Sequence, residues 1–184
     1  YGLDNLLRNC ALALKRAKEL GKNRYHIFDV ENELVDNSIR ESFVASNNLL
    51  HSALELDQIT PYFQGIYDNK KQKIHKFEVL ARIVKGDEII SPFHFLDTAK
   101  LVGLLPEITR RIIDKSFKIM SSNESTFSLN ITEDDLSQNY LLAYLAEKTA
   151  QYKISPKRII LEILEGVSAT GKKNHIKQLT ELKA

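Results

Sequence analysis

Apolar residues recur at two different periods along this chain, and the change of period divides it. Leu3, Leu6, Leu7, Cys10, Leu14 and Ala17 fall on one stripe at helical spacing, and Gly21 stands where a glycine releases a helix, so a helix is predicted to end near Leu20. Tyr25, Ile27 and Val30, set among polar residues, predict a short strand ending near Asp29. One helix and one strand cannot bury a core, so this segment must pack on other residues. Asp29, Glu31, Asn32, Glu33, Asp36 and Asn37 then form an acidic, polar stretch that is the best boundary candidate. Ile39, Phe43, Leu50 and Leu54 mark a second amphipathic helix running into Leu56, with Asn37 or Ser38 available as its cap.

Beyond Asp57 strands and helices alternate. Ile59 to Tyr67 and Ile74 to Val84 read as strands, and the turn residues Asp68, Asn69 and Lys70 between them predict an antiparallel hairpin. Phe93 to Leu101 and Pro106 to Met120 read as helices, the second with Pro106 at a favourable first position and Ile108, Ile112, Phe117 and Met120 on its buried stripe. Thr126 to Ile131 is a third strand, Tyr140 to Tyr152 a helix, Arg158 to Leu164 a fourth strand, and a last helix lies around Ile176, Leu179 and Leu182. Such alternation is the pattern of parallel α/β architecture, and the count stops midway through a barrel.

Polar residues break the strand pattern on one face only. In the second strand Phe77, Val79, Ala81 and Ile83 share an apolar face, while Glu78, Leu80 and Arg82 share the other. The third strand sets Phe127, Leu129 and Ile131 against Ser128 and Asn130, and the fourth sets Ile159, Leu161 and Ile163 against Ile160, Glu162 and Leu164. If helices cover the apolar faces, the polar faces line a barrel interior, and Glu78, Asn130 and Glu162 converge near the C-terminal ends of three strands. Two carboxylates and an amide are hard oxygen donors suited to Mg²⁺ or Mn²⁺. Plainer readings stand beside this one: a structural ion pair of Glu78 with Arg82, a turn or backbone-capping role for Asn130, and a loop-capping role for Glu165.

Composition narrows the classes of function. The chain has 184 residues, 43% hydrophobic and 27% charged, the balance of a globular protein and not of a disordered one. A formal charge of +2 with scattered Lys and Arg leaves no footprint for a nucleic-acid polymer. The single cysteine, Cys10, has no partner for an internal disulfide or a zinc site, which fits the cytoplasm, with any membrane anchor lying outside this chain.

Several segments, in order, resemble the EAL domain family. Phe77-Glu78-Val79-Leu80-Ala81-Arg82 is similar to the EAL signature with its following arginine, with Val79 in place of alanine. Phe63-Gln64 resembles the family's YQP segment with Gly65 for proline, Leu129-Asn130-Ile131-Thr132 its N-[LI]-[ST] segment, and Glu162-Ile163-Leu164-Glu165 its E-x-x-E segment. Pro92-Phe93 and Val102-Gly103-Leu104 match the helical region between, where Lys100 replaces a common glutamate. Ala13-Leu14, Ala17-Lys18 and Gly21-Lys22-Asn23-Arg24 resemble the elements that close a GGDEF domain, although Ala11 and Lys15 depart from its usual aspartate and tyrosine.

The resemblance implies an α/β fold: a partial (β/α)8 TIM-like barrel of EAL type with an antiparallel first strand, preceded by a helix and strand from a GGDEF domain. The implied domains are a GGDEF tail over 1–30, a linker over 31–41 and the first half of an EAL domain over 42–184. The implied activity is hydrolysis of cyclic-di-GMP to the linear dinucleotide with two divalent cations, Mg²⁺ or Mn²⁺. Carried over by position, Glu78, Asn130 and Glu162 are metal ligands, and Gln64, Leu80 and Arg82 contact the substrate. Glu78 and Glu165 are assigned to catalysis, Glu165 by bracing the loop beside the metal. The DDFG aspartates and a later lysine and glutamate are expected beyond Ala184. The GGDEF loop is absent, so no cyclase activity is expected. A homodimer with an upstream sensor domain is the expected assembly, and the alternative is a catalytically silent receptor for cyclic-di-GMP or a partner protein.

Overall fold

A computed structural model describes residues 3–19, 25, 27, 37–138 and 140–163. The chain divides into two compact units, Tyr1–Ser52 and Ala53–Ala184. In the first, α1 spans Leu3–Glu19, ending one residue before the predicted point. Of its apolar stripe, Ala17 is buried, while Leu6, Leu7 and Leu14 are each more than half exposed. Tyr25 and Ile27 belong to no helix or strand and are exposed, so the predicted strand is not formed at these two positions. The rest of that span lies outside the described residues.

Helix α2 spans Asn37–Glu55, so the helix begins on the residue expected to cap it and takes up the last part of the expected linker. It stops where Asp57 turns to a φ of 53°, the left-handed conformation that ends a helix. The Lys115 ammonium holds this turn from below, donating to the carbonyls of Asp57 (2.7 Å) and Ile59 (2.6 Å).

In the second unit, β1 (Ile59–Asp68) and β2 (Lys73–Lys85) form the predicted antiparallel hairpin. Asp68 shapes its turn by accepting from the backbone N–H groups of Lys70 (2.9 Å) and Lys71 (3.0 Å), and the Lys71 bond foremost holds its carboxyl below the usual range. Gly65 lies inside β1. A Cβ there would come within 3.0 Å of the Ile74 side chain, so the missing carbon is the space Ile74 fills. After β2 the chain turns at Gly86, with a φ of 60°, into a short antiparallel strand that the pattern does not announce, β3 (Glu88–Ile90).

The predicted helix over Phe93 to Leu101 is two pieces, a 3-10 turn over Pro92–His94 and α3 (Leu96–Leu101), with Phe95 at φ −139° between them. Helix α4 spans Leu105–Met120, which places Pro106 at the second helical position and not the first. Its stripe Ile108, Ile112, Phe117 and Met120 is buried as predicted. Strand β4 (Thr126–Ile131) has the predicted bounds. A short α5 (Glu133–Ser137) precedes α6 (Leu141–Tyr152), and β5 covers Ile159–Ile163. Arg158 precedes β5 in a 3-10 turn, where it donates to the carbonyls of Ser125 (3.0 Å) and Met120 (2.9 Å). Leu164 and the helix expected around Ile176 lie outside the described residues.

The sheet order is β1-β2-β4-β5, with β3 also on β2; β1 and β3 are antiparallel to β2, and β2, β4 and β5 run parallel. This is the mixed, partial barrel expected, with its first strand antiparallel. Val79, Phe127, Leu129 and Ile131 are buried on the helix side, where Phe117 of α4 meets Phe127 edge to face at 5.6 Å. Among the described residues β5 is an edge of the sheet.

Candidate active site on the inward face

Strand register decides which side chains meet. Residues paired across a ladder share a face, so the antiparallel pairs Gln64–Glu78, Tyr62–Leu80 and Thr60–Arg82 put Gln64, Glu78, Leu80 and Arg82 on one side of the hairpin. The parallel ladders continue that face through Glu78–Ser128 and then Asn130–Glu162. The ladder between β2 and β4 ends at Val79–Leu129, one residue past Glu78, so Glu78 sits where the two strands part. Asn130 and Glu162 lie near the C-terminal ends of their strands.

Three residues from three strands are therefore brought side by side. The Asn130 amide donates to Glu78 Oε1 at 3.2 Å, and Glu162 is Asn130's register partner. Asn130 is thus a ladder residue and not a turn residue. The ion pair of Glu78 with Arg82 does not form: four residues along a strand separate two side chains by about 13 Å. Arg82 instead donates to the adjoining Ala81 carbonyl (2.8 Å) and lies 5.9 Å from the centre of the Tyr62 ring. Glu165 lies outside the described residues.

The cation that does touch this cluster is Lys76, on the same face as Glu78 and two residues before it. Its Nζ lies 3.3 Å from Glu162 Oε1. Ser128, fully buried beside Glu78 in register, has a hydroxyl with no hydrogen-bond partner among the described residues. A buried hydroxyl without a partner is costly, and a water or a further strand would satisfy it.

A cavity of about 510 Å³ lies between β2, β4 and helices α3 and α4, lined mostly by helix-side residues, with Glu78, Leu80 and Asn130 at its border. Leu80, Ile108, Ile112 and Leu129 give it an apolar lining, and Glu78, Asn130, Asp97 and Thr132 give it polar groups. Its size and mixture suit a small organic ligand. Of the expected site residues, Glu78, Leu80 and Asn130 line it; Gln64, Arg82 and Glu162 do not.

The way β4 is held in place rests on residues that the strand pattern leaves out. Thr132, two residues after Asn130, caps α5: its hydroxyl accepts from the Asp135 N–H (3.3 Å), while Asp135 Oδ2 accepts from the Thr132 N–H (2.8 Å) and hydroxyl (2.7 Å). Asp135 is fully buried and also accepts from Thr109 (3.2 Å) and Tyr140 (2.6 Å). Burial, then the bond to Asp135, raises the Tyr140 phenol well above its ordinary range. The sequence signal for this knot is Thr132-Glu133-Asp134-Asp135, a capping-box spacing.

As a metal centre the cluster is hard in character, with two carboxylates and an amide oxygen suited to Mg²⁺ or Mn²⁺. Among the described residues no three Asp, Glu, His or Cys side chains come together to hold a metal. The donors fit such a cation in kind.

The sequence model of the EAL domain family matches residues 47–184. Over 188 residues the chain is 25% identical to the cyclic di-GMP phosphodiesterase PdeB of Shewanella oneidensis, covering 98% of this chain and 22% of that protein. The FimX EAL domain of Pseudomonas aeruginosa bound to c-di-GMP superposes with a TM-score of 0.64 at 26% identity, over 74% of this chain and 57% of that one. The S helix-GGDEF-EAL structure of Vibrio cholerae LapD, bound to c-di-GMP, covers 100% of this chain and 44% of its own, with a TM-score of 0.66 at 13% identity. The chain spans about a fifth of the length of PdeB and of three other curated relatives it matches. Among the described residues no helix is long and apolar enough to cross a membrane.

Proposed function

The chain belongs to the EAL domain family, and on that premise we propose that it supplies the first half of a phosphodiesterase that opens cyclic-di-GMP to the linear dinucleotide. The observation that carries the reading is the meeting of Glu78, Asn130 and Glu162, from three separate strands, on one face. In this reading the three residues hold one Mg²⁺ or Mn²⁺, and a second cation takes its carboxylates from the strands that complete the barrel. The cations supply charge neutralisation at the phosphate and a water of lowered pKa. Gln64 and Leu80 contact the dinucleotide, and Arg82, held loosely by a carbonyl and a ring, turns its guanidinium to a phosphate oxygen. Glu165 braces the loop after β5.

The residues before the barrel fit a larger assembly. Residues 1–30 are the closing piece of a GGDEF domain, 31–41 the join to it, and 42–184 the EAL portion; exposed Leu6, Leu7 and Leu14 are the face by which α1 rejoins that domain. The parent works in the cytoplasm as a homodimer under an upstream sensor. The test is chromatography of cyclic-di-GMP incubated with the parent protein and Mn²⁺: linear dinucleotide appears with the native protein and is lost with Glu78→Gln.

A receptor reading is the alternative: among the described residues the cluster brings together two carboxylates and one amide. It predicts dinucleotide binding by the parent with no product formed at any Mn²⁺ concentration.

A further inference from the structure

We propose that Lys76 is a built-in counter-cation for the metal site, occupying Glu162 when no divalent ion is bound and competing with that ion for the carboxylate. The inference rests on the reading of Glu162 as a metal ligand. Lys76 stands on the inward face two residues before Glu78, and its ammonium reaches across β4 to Glu162, 3.3 Å away. The side chains are 27% and 36% exposed, so the pair is only partly buried. Among the described residues no other ion pair involves Glu162 or Glu78. An ammonium and a hard divalent cation want the same oxygen atoms, and both cannot hold them at full strength.

The consequence is reciprocal. In the metal-free protein Lys76 relieves the repulsion between two carboxylates packed on one face, and this favours the folded state. When a divalent ion arrives, the lysine must give up Glu162 and swing aside on its four-carbon stem, and its charge still opposes the ion at short range. Lys76 therefore sets the ion concentration at which the site fills.

The experiment is Mn²⁺ binding to the metal-stripped parent protein, read directly from the paramagnetic resonance signal of free Mn²⁺ and repeated as the Mn²⁺-induced rise in melting temperature. Lys76→Met is expected to tighten Mn²⁺ about three- to tenfold, to lower the melting temperature of the metal-free protein, and to enlarge its rise with Mn²⁺. Lys73→Met, an equal loss of charge at an exposed position of β2, is expected to leave the affinity unchanged. In the Glu162→Gln background the effect of Lys76→Met should vanish. Unchanged affinity in Lys76→Met, or equal tightening in Lys73→Met, overturns the proposal while Glu162→Gln still tests the ligand by weakening Mn²⁺. A parent protein that takes up no Mn²⁺ in any variant overturns the metal-site reading and this proposal together.

Discussion

The two faces of one sheet are built to opposite rules. On the helix side Val79, Phe127, Leu129 and Ile131 are apolar and buried. In the helical layer buried Asp135 accepts hydrogen bonds from Thr109, Thr132 and Tyr140, while the buried Ser116 hydroxyl of α4 has no partner among the described residues. On the inward side Lys76, Glu78, Asn130 and Glu162 share two hydrogen bonds, and Ser128 has no partner among the described residues. The same strands present both faces, because side chains alternate along a strand. The difference teaches where stability and chemistry are kept. Burial on one side fixes the strands, and the other side can then carry charge in a fixed geometry without having to hold the fold together.

The largest effect should come from cutting into the dry side. Phe127→Ala removes a fully buried ring packed on Phe117 and is expected to cost about 3–5 kcal/mol, measured by denaturant unfolding. A loss under about 1 kcal/mol would mean that this face does not hold the sheet. Glu78→Gln should do the reverse. In the parent protein turnover is expected to fall by roughly 10²- to 10³-fold, about 3–4 kcal/mol in the barrier, with stability moved by less than about 1 kcal/mol. Activity kept with stability lost would turn Glu78 into a structural residue and erase the contrast. Tyr140→Phe tests the hydrogen bonds around Asp135: it takes one donor from that buried carboxylate and should cost about 1–2 kcal/mol.

How far the sequence discloses these two faces depends on the range of the interaction. The alternation in β2 and β4 is local, and its apolar members Val79, Ile83, Phe127, Leu129 and Ile131 are buried, with β4 bounded to the residue; in β5 Ile163 is 42% exposed. The hairpin is local too, since Asp68 and its followers are turn chemistry. Strand β3 is three residues long, too short for alternation to register. The break between the 3-10 turn and α3 follows from the backbone of Phe95, which an apolar stripe does not encode. The cluster is half legible. Glu78, Asn130 and Glu162 stand out as polar residues in apolar strands, but a lysine near the start of a strand reads as an ordinary solvated charge. The partner of Lys76 is 86 residues away, and only the register of three strands brings the two together. The knot around Asp135 is partly local, through its capping box, and partly tertiary, through Thr109 of another helix.

The smallest expected effect is a pH response that separates the faces by their titration. Tyr144, in α6, has its phenol raised to about 12, first by burial and then by its hydrogen bond to Asp114. Below the ordinary tyrosine pKa of about 10 the folded and unfolded chains both hold this proton, and the contribution to stability is complete. Between pH 10 and about 12 the unfolded chain releases the proton first, so stability declines as pH rises through that window, and it is lost once the folded phenol ionises. Tyr140 is raised in the same direction, and its decline sets in from the same lower limit. Denaturant midpoints measured from pH 8 to pH 11 should therefore fall above pH 10, and Tyr144→Phe should flatten part of that fall. Glu78→Gln leaves both tyrosines and their partners in place, so it should leave this slope unchanged. A slope that follows Glu78 and ignores Tyr144 would place the alkaline weakness on the inward face, and the division of labour between the two faces would fail at that point.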